Sequence, residues 1–361
     1  LKHVIGDVNN LSIDKNFESF IERKKQRMVS KYYFIKKKPL VDIGILSGQK
    51  IGMIIDLAPD FNNFFSGVFG GSKLYGNDWN LNGEVDSRFE NLWGAMERIT
   101  FKWKNIDSTN QSFKISLYRP HLLITGVGLK GEYNYQIVNN YFTETQFGIN
   151  VEFFNNYYGS FYVGYKQGDI TSTEQGLRKN YFSTNYKALK FVFEHNSFNR
   201  VLLPDKGHKL DIEFDIGEDK LINELYVKTK LNFIGFSNFF HKINFCLKSY
   251  NDLIKPFQGE IGLSRQISFG GVNSFRGFND NQFKSSAISV QSLEIHYTLD
   301  KAFKIITFID CGFAKDYYPK YSFGFGLSKI SKTALIDVQY AVPLGSAIQN
   351  GKVHLKWLTR L

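Results

Sequence analysis

The sequence predicts an all-β fold: a closed, sixteen-stranded antiparallel transmembrane β-barrel with a long loop folded inward, preceded by a short α/β segment. Three observations carry this. From about residue 64 to the end, apolar and polar residues alternate with period two, with no convincing helix. The polar faces are dense in charges of both signs, as a water-filled lumen suits, and runs of about 9–11 residues fit a tilted bilayer crossing. Aromatic residues gather near strand ends (Trp79, Trp93, Tyr118, Tyr157, Tyr158, Tyr317, Tyr318), as an interfacial girdle requires. A soluble sandwich also alternates. The dense charge, the strand length and the girdle favour the membrane, and closure removes the edges of so many strands.

Composition sets the bounds. The 361 residues would suit two soluble domains or one barrel. No run approaches the roughly 18 apolar residues of a membrane helix. The chain opens LKHVIGDVNN, without Met or a signal-peptide pattern, so a mature or trimmed form is expected. The two cysteines, Cys246 and Cys311, match no metal spacing and are expected as free thiols. A formal charge of +11 suits phosphate-rich partners or a plain solvated basic surface.

Residues 1–60 form the first unit. Asp14 to Glu22 reads as a helix start, with Ser12 or Asp14 as N-cap and Phe17, Phe20 and Ile21 on one face. Arg23, Lys24, Lys25 and Arg27 follow in the later turns, where the helix dipole favours cations. Strands over 40–46 and 50–57 flank the turn Ser47-Gly48-Gln49.

The second unit, 61–361, is the barrel. Its strands are expected over 63–71, 80–89, 96–104, 111–118, 121–131, 143–154, 158–167, 187–195, 208–216, 222–234, 239–249, 288–297, 302–311, 320–328, 333–341 and 350–358. The alternation is plain in Leu210, Ile212, Phe214 and Ile216 against Asp211, Glu213 and Asp215. It recurs in Val353, Leu355 and Trp357 against Lys352, His354 and Lys356.

The longest gap, 249–288, holds FGGVNSFRGF, residues Phe269 to Phe278. A loop this long is usually functional. Gly270, Gly271 and Gly277 let its backbone turn tightly around Arg276 and Phe278. A desolvated guanidinium needs a carboxylate partner. Glu294 and Asp310 follow on the next two strands, and parity places both on the polar, lumen-facing side. If the loop folds inward, Arg276 reaches them.

The order of these motifs resembles the Omp85 superfamily of outer-membrane barrels, of the BamA and TamA type: a GG-x-N-S-x-RGF loop, a strand with S-x-E, then a strand with F-x-D-x-G. SRFENLWGAMERITFKW, SLYRP and VLLPDKGHKL are similar to further parts of that family's barrel, and residues 1–60 are similar to the end of a POTRA domain, here incomplete. The resemblance implies an arginine of the sixth extracellular loop, Arg276, contacting Asp310 and Glu294 inside a sixteen-stranded barrel. It implies protein insertion into, or transport across, an outer membrane, most readily a bacterial one, with the N-terminal segment in the periplasm. The partners implied are outer-membrane lipids, unfolded β-barrel or secreted clients, and periplasmic or lipoprotein accessory subunits.

The barrel must close by pairing 63–71 with 350–358. Gly67, Gly70 and Gly71 weaken the first of these strands, and Val353, Leu355 and Trp357 line the last, so this seam is the candidate lateral opening. The alternatives are a polypeptide-export pore or a membrane anchor for a lipid hydrolase upstream. No catalytic residue is expected here: there is no G-x-S-x-G elbow, and His195, His208, His241 and His296 lack a nucleophilic partner. No metal, cofactor or nucleic acid is expected; the basic run Arg23 to Lys38 carries no recognised binding motif.

Overall fold

The computed structural model describes residues 18–19, 21–22, 25, 28, 35, 39–46, 50–61, 63–73, 79–107, 109–120, 127–156, 158–200, 203–240, 242–271, 274–300, 302–331 and 334–360. Within the first unit, Glu18, Ser19, Ile21, Glu22, Lys25 and Met28 are helical, and Ile21 and Met28 are buried. Ser12, Asp14, Phe17, Phe20 and the turn 47–49 lie outside the described residues. Strands β1 (Leu40–Leu46) and β2 (Lys50–Asp56) pair antiparallel in a sheet of their own, Leu40 against Asp56 through Leu46 against Lys50.

Sixteen strands then close into one antiparallel barrel. The first eight are β3 (Phe64–Lys73), β4 (Trp79–Glu90), β5 (Arg98–Asp107), β6 (Asn110–Arg119), β7 (Gly128–Val138), β8 (Phe142–Asn156), β9 (Gly159–Ser172) and β10 (Thr184–Asn196). Next come β11 (Gly207–Asp219), β12 (Glu224–Phe240) and β13 (Ile243–Pro256). A short hairpin of β14 (Ile267–Phe269) and β15 (Phe283–Ser285) stands apart within the 257–286 loop. The wall resumes with β16 (Ala287–Asp300), β17 (Phe303–Ala314), β18 (Tyr317–Ile330), β19 (Ala334–Pro343) and β20 (Lys352–Arg360). Each wall strand pairs with its sequence neighbour, β13 pairs with β16 across the long loop, and β20 returns to β3.

Period-two alternation sorts the side chains. On β16, Val290, Ser292, Glu294 and His296 are buried towards the lumen, while Leu293, Ile295 and Tyr297 face outward. On β17, Ile306, Phe308 and Asp310 point in and Ile309 points out, 60% exposed. Apolar residues that would be buried in a sandwich are thus on the outer face, where lipid rather than water surrounds them. Lumenal polar residues satisfy one another: Glu132 takes Lys130 at 3.1 Å and Lys190 at 3.3 Å, and the Tyr118 hydroxyl donates to Glu152 at 2.6 Å.

Three expectations are corrected. The strand expected at 121–131 lies instead at Gly128–Val138; residues 121–126 are outside the described set. The apolar run Leu122-Leu123-Ile124 drew the expectation forward. The alternation that matches both neighbouring strands is Lys130, Glu132, Asn134 and Gln136 against Leu129, Tyr133, Tyr135 and Ile137. Residues 235–238, which fall between the strands expected at 222–234 and 239–249, are strand: β12 runs on to Phe240 through a register shift between Asn238 and Phe240, and Phe240 pairs with Ile243 of β13. Tyr118, assigned to the aromatic girdle, is buried in the lumen. Trp93, Tyr158, Tyr317 and Tyr318 are exposed near strand ends, whereas Tyr157 and the side chain of Trp79 lie outside what is described.

Ile309→Lys would place an ammonium on the outer face near mid-strand. It should destabilise the barrel by about 2–4 kcal/mol in a bilayer, read as a lower urea midpoint for folding into vesicles. An unchanged midpoint would mean that this face does not meet lipid.

Candidate functional site

The β14–β15 hairpin carries the 270–282 tip into the lumen. The backbone there is unusual: φ is +127° at Gly270, +85° at Gly271 and +87° at Gly277. A Cβ at Gly270 would lie 2.3 Å from the Asn279 carbonyl, and one at Gly271 would lie 2.0 Å from Asp280 Oδ1. Only glycine fits both the angle and the space. The Ser274 hydroxyl donates to the Gly270 carbonyl at 2.8 Å and accepts from the Gly270 amide at 2.9 Å, and the Phe275 amide donates to Gly271 at 2.9 Å. Phe269, Phe275 and Phe283 pack with Val290 beneath the tip, with Phe278 against them. Gly312 admits Phe275, since a Cβ there would lie 2.5 Å from its ring.

This scaffold aims Arg276, 5% exposed, at the inner wall. Its Nε donates to Asp310 Oδ2 at 2.8 Å and one terminal nitrogen to Asp310 Oδ1 at 2.5 Å, a bidentate pair. The other terminal nitrogen lies 2.7 Å from Glu294 Oε1 and donates to Gln339 Oε1 at 3.0 Å. The Ser292 hydroxyl accepts at 2.6 Å, and the guanidinium lies 3.5 Å over the centre of the Phe308 ring. The Ser322 hydroxyl donates to the Arg276 carbonyl at 2.7 Å. One loop residue thus touches β16, β17, β18 and β19. Burial alone would lower the guanidinium's pKa; the hydrogen bonds and charges of Asp310 and Glu294 outweigh it and raise the pKa, so Arg276 stays charged.

Glu294 also accepts from Lys248 on β13 at 2.6 Å and pairs with His296 Nε2 at 2.7 Å. Cys246 Sγ completes a group whose donor atoms lie within 4.8 Å of one another, a spacing a metal could use. Yet both Glu294 oxygens already hold partners, two of them cationic. The donor set is neutralised without a metal, and Arg276 and Lys248 would repel one.

Sequence reasoning passed over two further ties. Arg265, in the ascending part of the loop, donates to Asp219 Oδ2 at 2.9 Å and stacks 3.4 Å over the Tyr186 ring. Asp280 Oδ1 accepts from Lys104 Nζ on β5 at 2.7 Å. Both are long-range pairs of common residues, with no local spacing to reveal them. Of the seam residues, Gly67, Gly70 and Gly71 pair with β4, at Val85, Asn82 and Leu81. Val353, Leu355 and Trp357 are on the outer face of β20, 69%, 51% and 41% exposed. The ladder between β20 and β3 comprises Leu358 with Ser66, Thr359 with Phe65 and Arg360 with Phe64. The described pairing stops there, leaving Gly67 to Lys73 and Lys352 to Trp357 without cross-seam ladder partners; the Ser66 hydroxyl adds one bond to the Trp357 carbonyl.

Residues 74–357 match the Omp85 superfamily domain. The chain belongs to the Omp85 superfamily. Omp85 barrels are integral outer-membrane proteins that assemble or transport, not enzymes. In fold, this Omp85 chain is similar to BamA from Haemophilus ducreyi lacking POTRA domains 1–3, at a TM-score of 0.66 and 16% identity over 99% of this chain and 80% of that one. It is similar to CdiB from Escherichia coli (TM-score 0.63, 14% identity, 100% and 73% of the two chains). CdiB from Acinetobacter baumannii also matches (0.62, 12%, 90% and 66%). No curated protein sequence matches significantly.

Arg276→Ala leaves Asp310 and Glu294 buried with less counter-charge and should cost about 3–5 kcal/mol, measured by thermal or denaturant unfolding. Exchanging the charges, Arg276→Asp with Asp310→Arg, should recover part of the loss. Strict additivity of the two single substitutions would dismiss the pairing as an energetic unit.

Proposed function

We propose that this barrel inserts β-barrel clients into an outer membrane through the β20–β3 seam. One observation carries the reading: the seam ladder is three residue pairs long, whereas β11 and β12 pair over thirteen positions. A strand edge left unpaired presents free N–H and C=O groups, and such an edge templates an incoming strand by β-augmentation. Glycines on β3 lower the cost of parting it from its partner.

The latched loop is a strap across that opening. Through Arg276 it grips β16 to β19 on one side of the seam; through Asp280 it grips β5 on the other. The two grips differ in strength by their surroundings. Arg276 and Asp310 are buried, whereas Lys104 and Asp280 keep about a quarter of their side-chain surface exposed and are screened. In this reading the Asp280 grip releases first, the seam parts, and the Arg276 grip keeps the loop in place as a plug. Because the loop fills part of the lumen, it weighs against an open export pore.

The loop end is taken as extracellular and the opposite end, with residues 1–60, as periplasmic in a bacterial outer membrane. In support, the likeness to the truncated BamA extends over 99% of this chain, including the helix and the β1–β2 hairpin that resemble the end of a POTRA domain. The 61–361 barrel would then receive clients, with periplasmic or lipoprotein subunits assisting.

The test is reconstitution in proteoliposomes with an unfolded barrel client, scored as protease-protected folded product. Ser66→Cys with Leu358→Cys, in a background of Cys246→Ser and Cys311→Ser, places two thiols at directly paired positions, about 4.5–5.5 Å apart at Cα, within disulfide reach. Oxidation should stop insertion and reduction should restore it. Full activity in the oxidised form would rule out lateral opening, and no acceleration by a folded, reduced barrel would favour export or anchoring instead.

Asp280→Asn should loosen the strap while leaving the barrel folded. Hydrogen exchange at β3 amides should quicken by up to about fivefold, the equivalent of the roughly 1 kcal/mol ceiling for a part-exposed ion pair. Unchanged exchange would remove Asp280 from the gate.

A further inference from the structure

On the wall made by β6 to β12, away from Arg276, the lumen holds a cavity of about 170 Å³. Its lining includes Lys114, Lys166, Lys190, Lys228 and Lys230, against Glu132 and Glu213. Gly148 opens it: in register it lies between Glu132 on β7 and Lys166 on β9, where any other residue would send a side chain into the space. We propose that this cavity binds a small soluble oxyanion of the phosphate class.

The distribution of partners supports the assignment. The two lining carboxylates are already engaged: Glu213 with Lys190 at 3.2 Å and Lys166 at 3.4 Å, Glu132 with Lys190 at 3.3 Å and Lys130 at 3.1 Å. Asp215, behind the lining, is held by Lys166. The nearest carboxylate oxygen to Lys114 is 4.0 Å away, and Asp252 stands 3.9 Å from Lys228, both beyond hydrogen-bond length. Lys230 has no carboxylate within ion-pair distance among the described residues. Three ammoniums from β6 and β12 therefore face one cavity with donors to spare. Lysine suits the role: its three N–H bonds rotate, so several lysines converge on a tetrahedral anion without the planar match that arginine needs. The wall carries these side chains inward, away from lipid, so the ligand is a soluble ion rather than an anchored headgroup.

The experiment is calorimetric titration of the full chain in phosphate-free maltoside micelles with inorganic phosphate, ionic strength being held constant with chloride. Saturable, one-to-one binding is expected. Lys228→Gln with Lys230→Gln should weaken it at least tenfold, Gly148→Leu should abolish it by filling the cavity, and Lys179→Gln, an exposed lysine outside the barrel wall, should leave it unchanged. Gly148 has room for the change, since a Cβ there meets its nearest atoms at 3.7–4.0 Å. Absence of saturable heat in the unmodified protein overturns the proposal, whatever the variants do. So does equal binding by folded forms of both cavity variants. In nanodiscs, the phosphate affinity should be the same in phosphatidylcholine and phosphatidylglycerol; loss of binding in the anionic lipid would reassign the site to a phospholipid headgroup.

Discussion

A guanidinium cannot be left alone out of water, and much of this barrel's interior is arranged around that constraint. Arg276 enters on a loop tip with three glycines at positive φ and finds two carboxylates, an amide and two hydroxyls on four different strands. The cost of desolvating the ions makes such a cluster a modest source of net stability. Its larger effect is on register. Ser292 and Glu294 on β16, Asp310 on β17, Ser322 on β18 and Gln339 on β19 must all face inward at one height for the arginine to be satisfied. A one-residue slip in any of these strands would turn its ligand towards lipid.

The latch also separates two parts of the wall. From β4 to β20, neighbouring strands share long ladders, and β16 to β19 are tied again from inside by the loop. The β20–β3 seam has neither advantage over most of its length. It is bridged instead by the loop tip, through a part-exposed Lys104–Asp280 pair that solvent and salt weaken. Among the described residues stability is thus distributed unevenly, with the shortest ladder at the β20–β3 seam.

Much of the fold was legible because a membrane barrel obeys a simple rule. Each strand must be apolar on one face and polar on the other, with period two, and sixteen such segments can be counted. The failures have the same origin. At 121–131 an apolar run stood beside the alternation that continues to Val138, and 235–238 fell between two expected strands although the strand continued. In both places pairing with the flanking strands decided the boundary, and a single strand's sequence holds no record of its partners' lengths. Tyr118 was misplaced because an aromatic near a strand end suits the girdle and the lumen equally; the carboxylate of Glu152, on another strand, settles it.

For the site, parity alone put Glu294 and Asp310 on the lumenal face, and the glycines around Arg276 announced a tight, inward-turning loop. Those are local properties, written in consecutive residues. Which carboxylate takes the bidentate contact, how Lys248 and His296 share the other, and that Arg265 and Asp280 tie the same loop to distant strands were decided by the tertiary structure. So were the shortness of the seam ladder and the convergence of lysines from β6, β9, β10 and β12 on one cavity. Each depends on distances between residues far apart in the chain, fixed only when the barrel closes and its register is set.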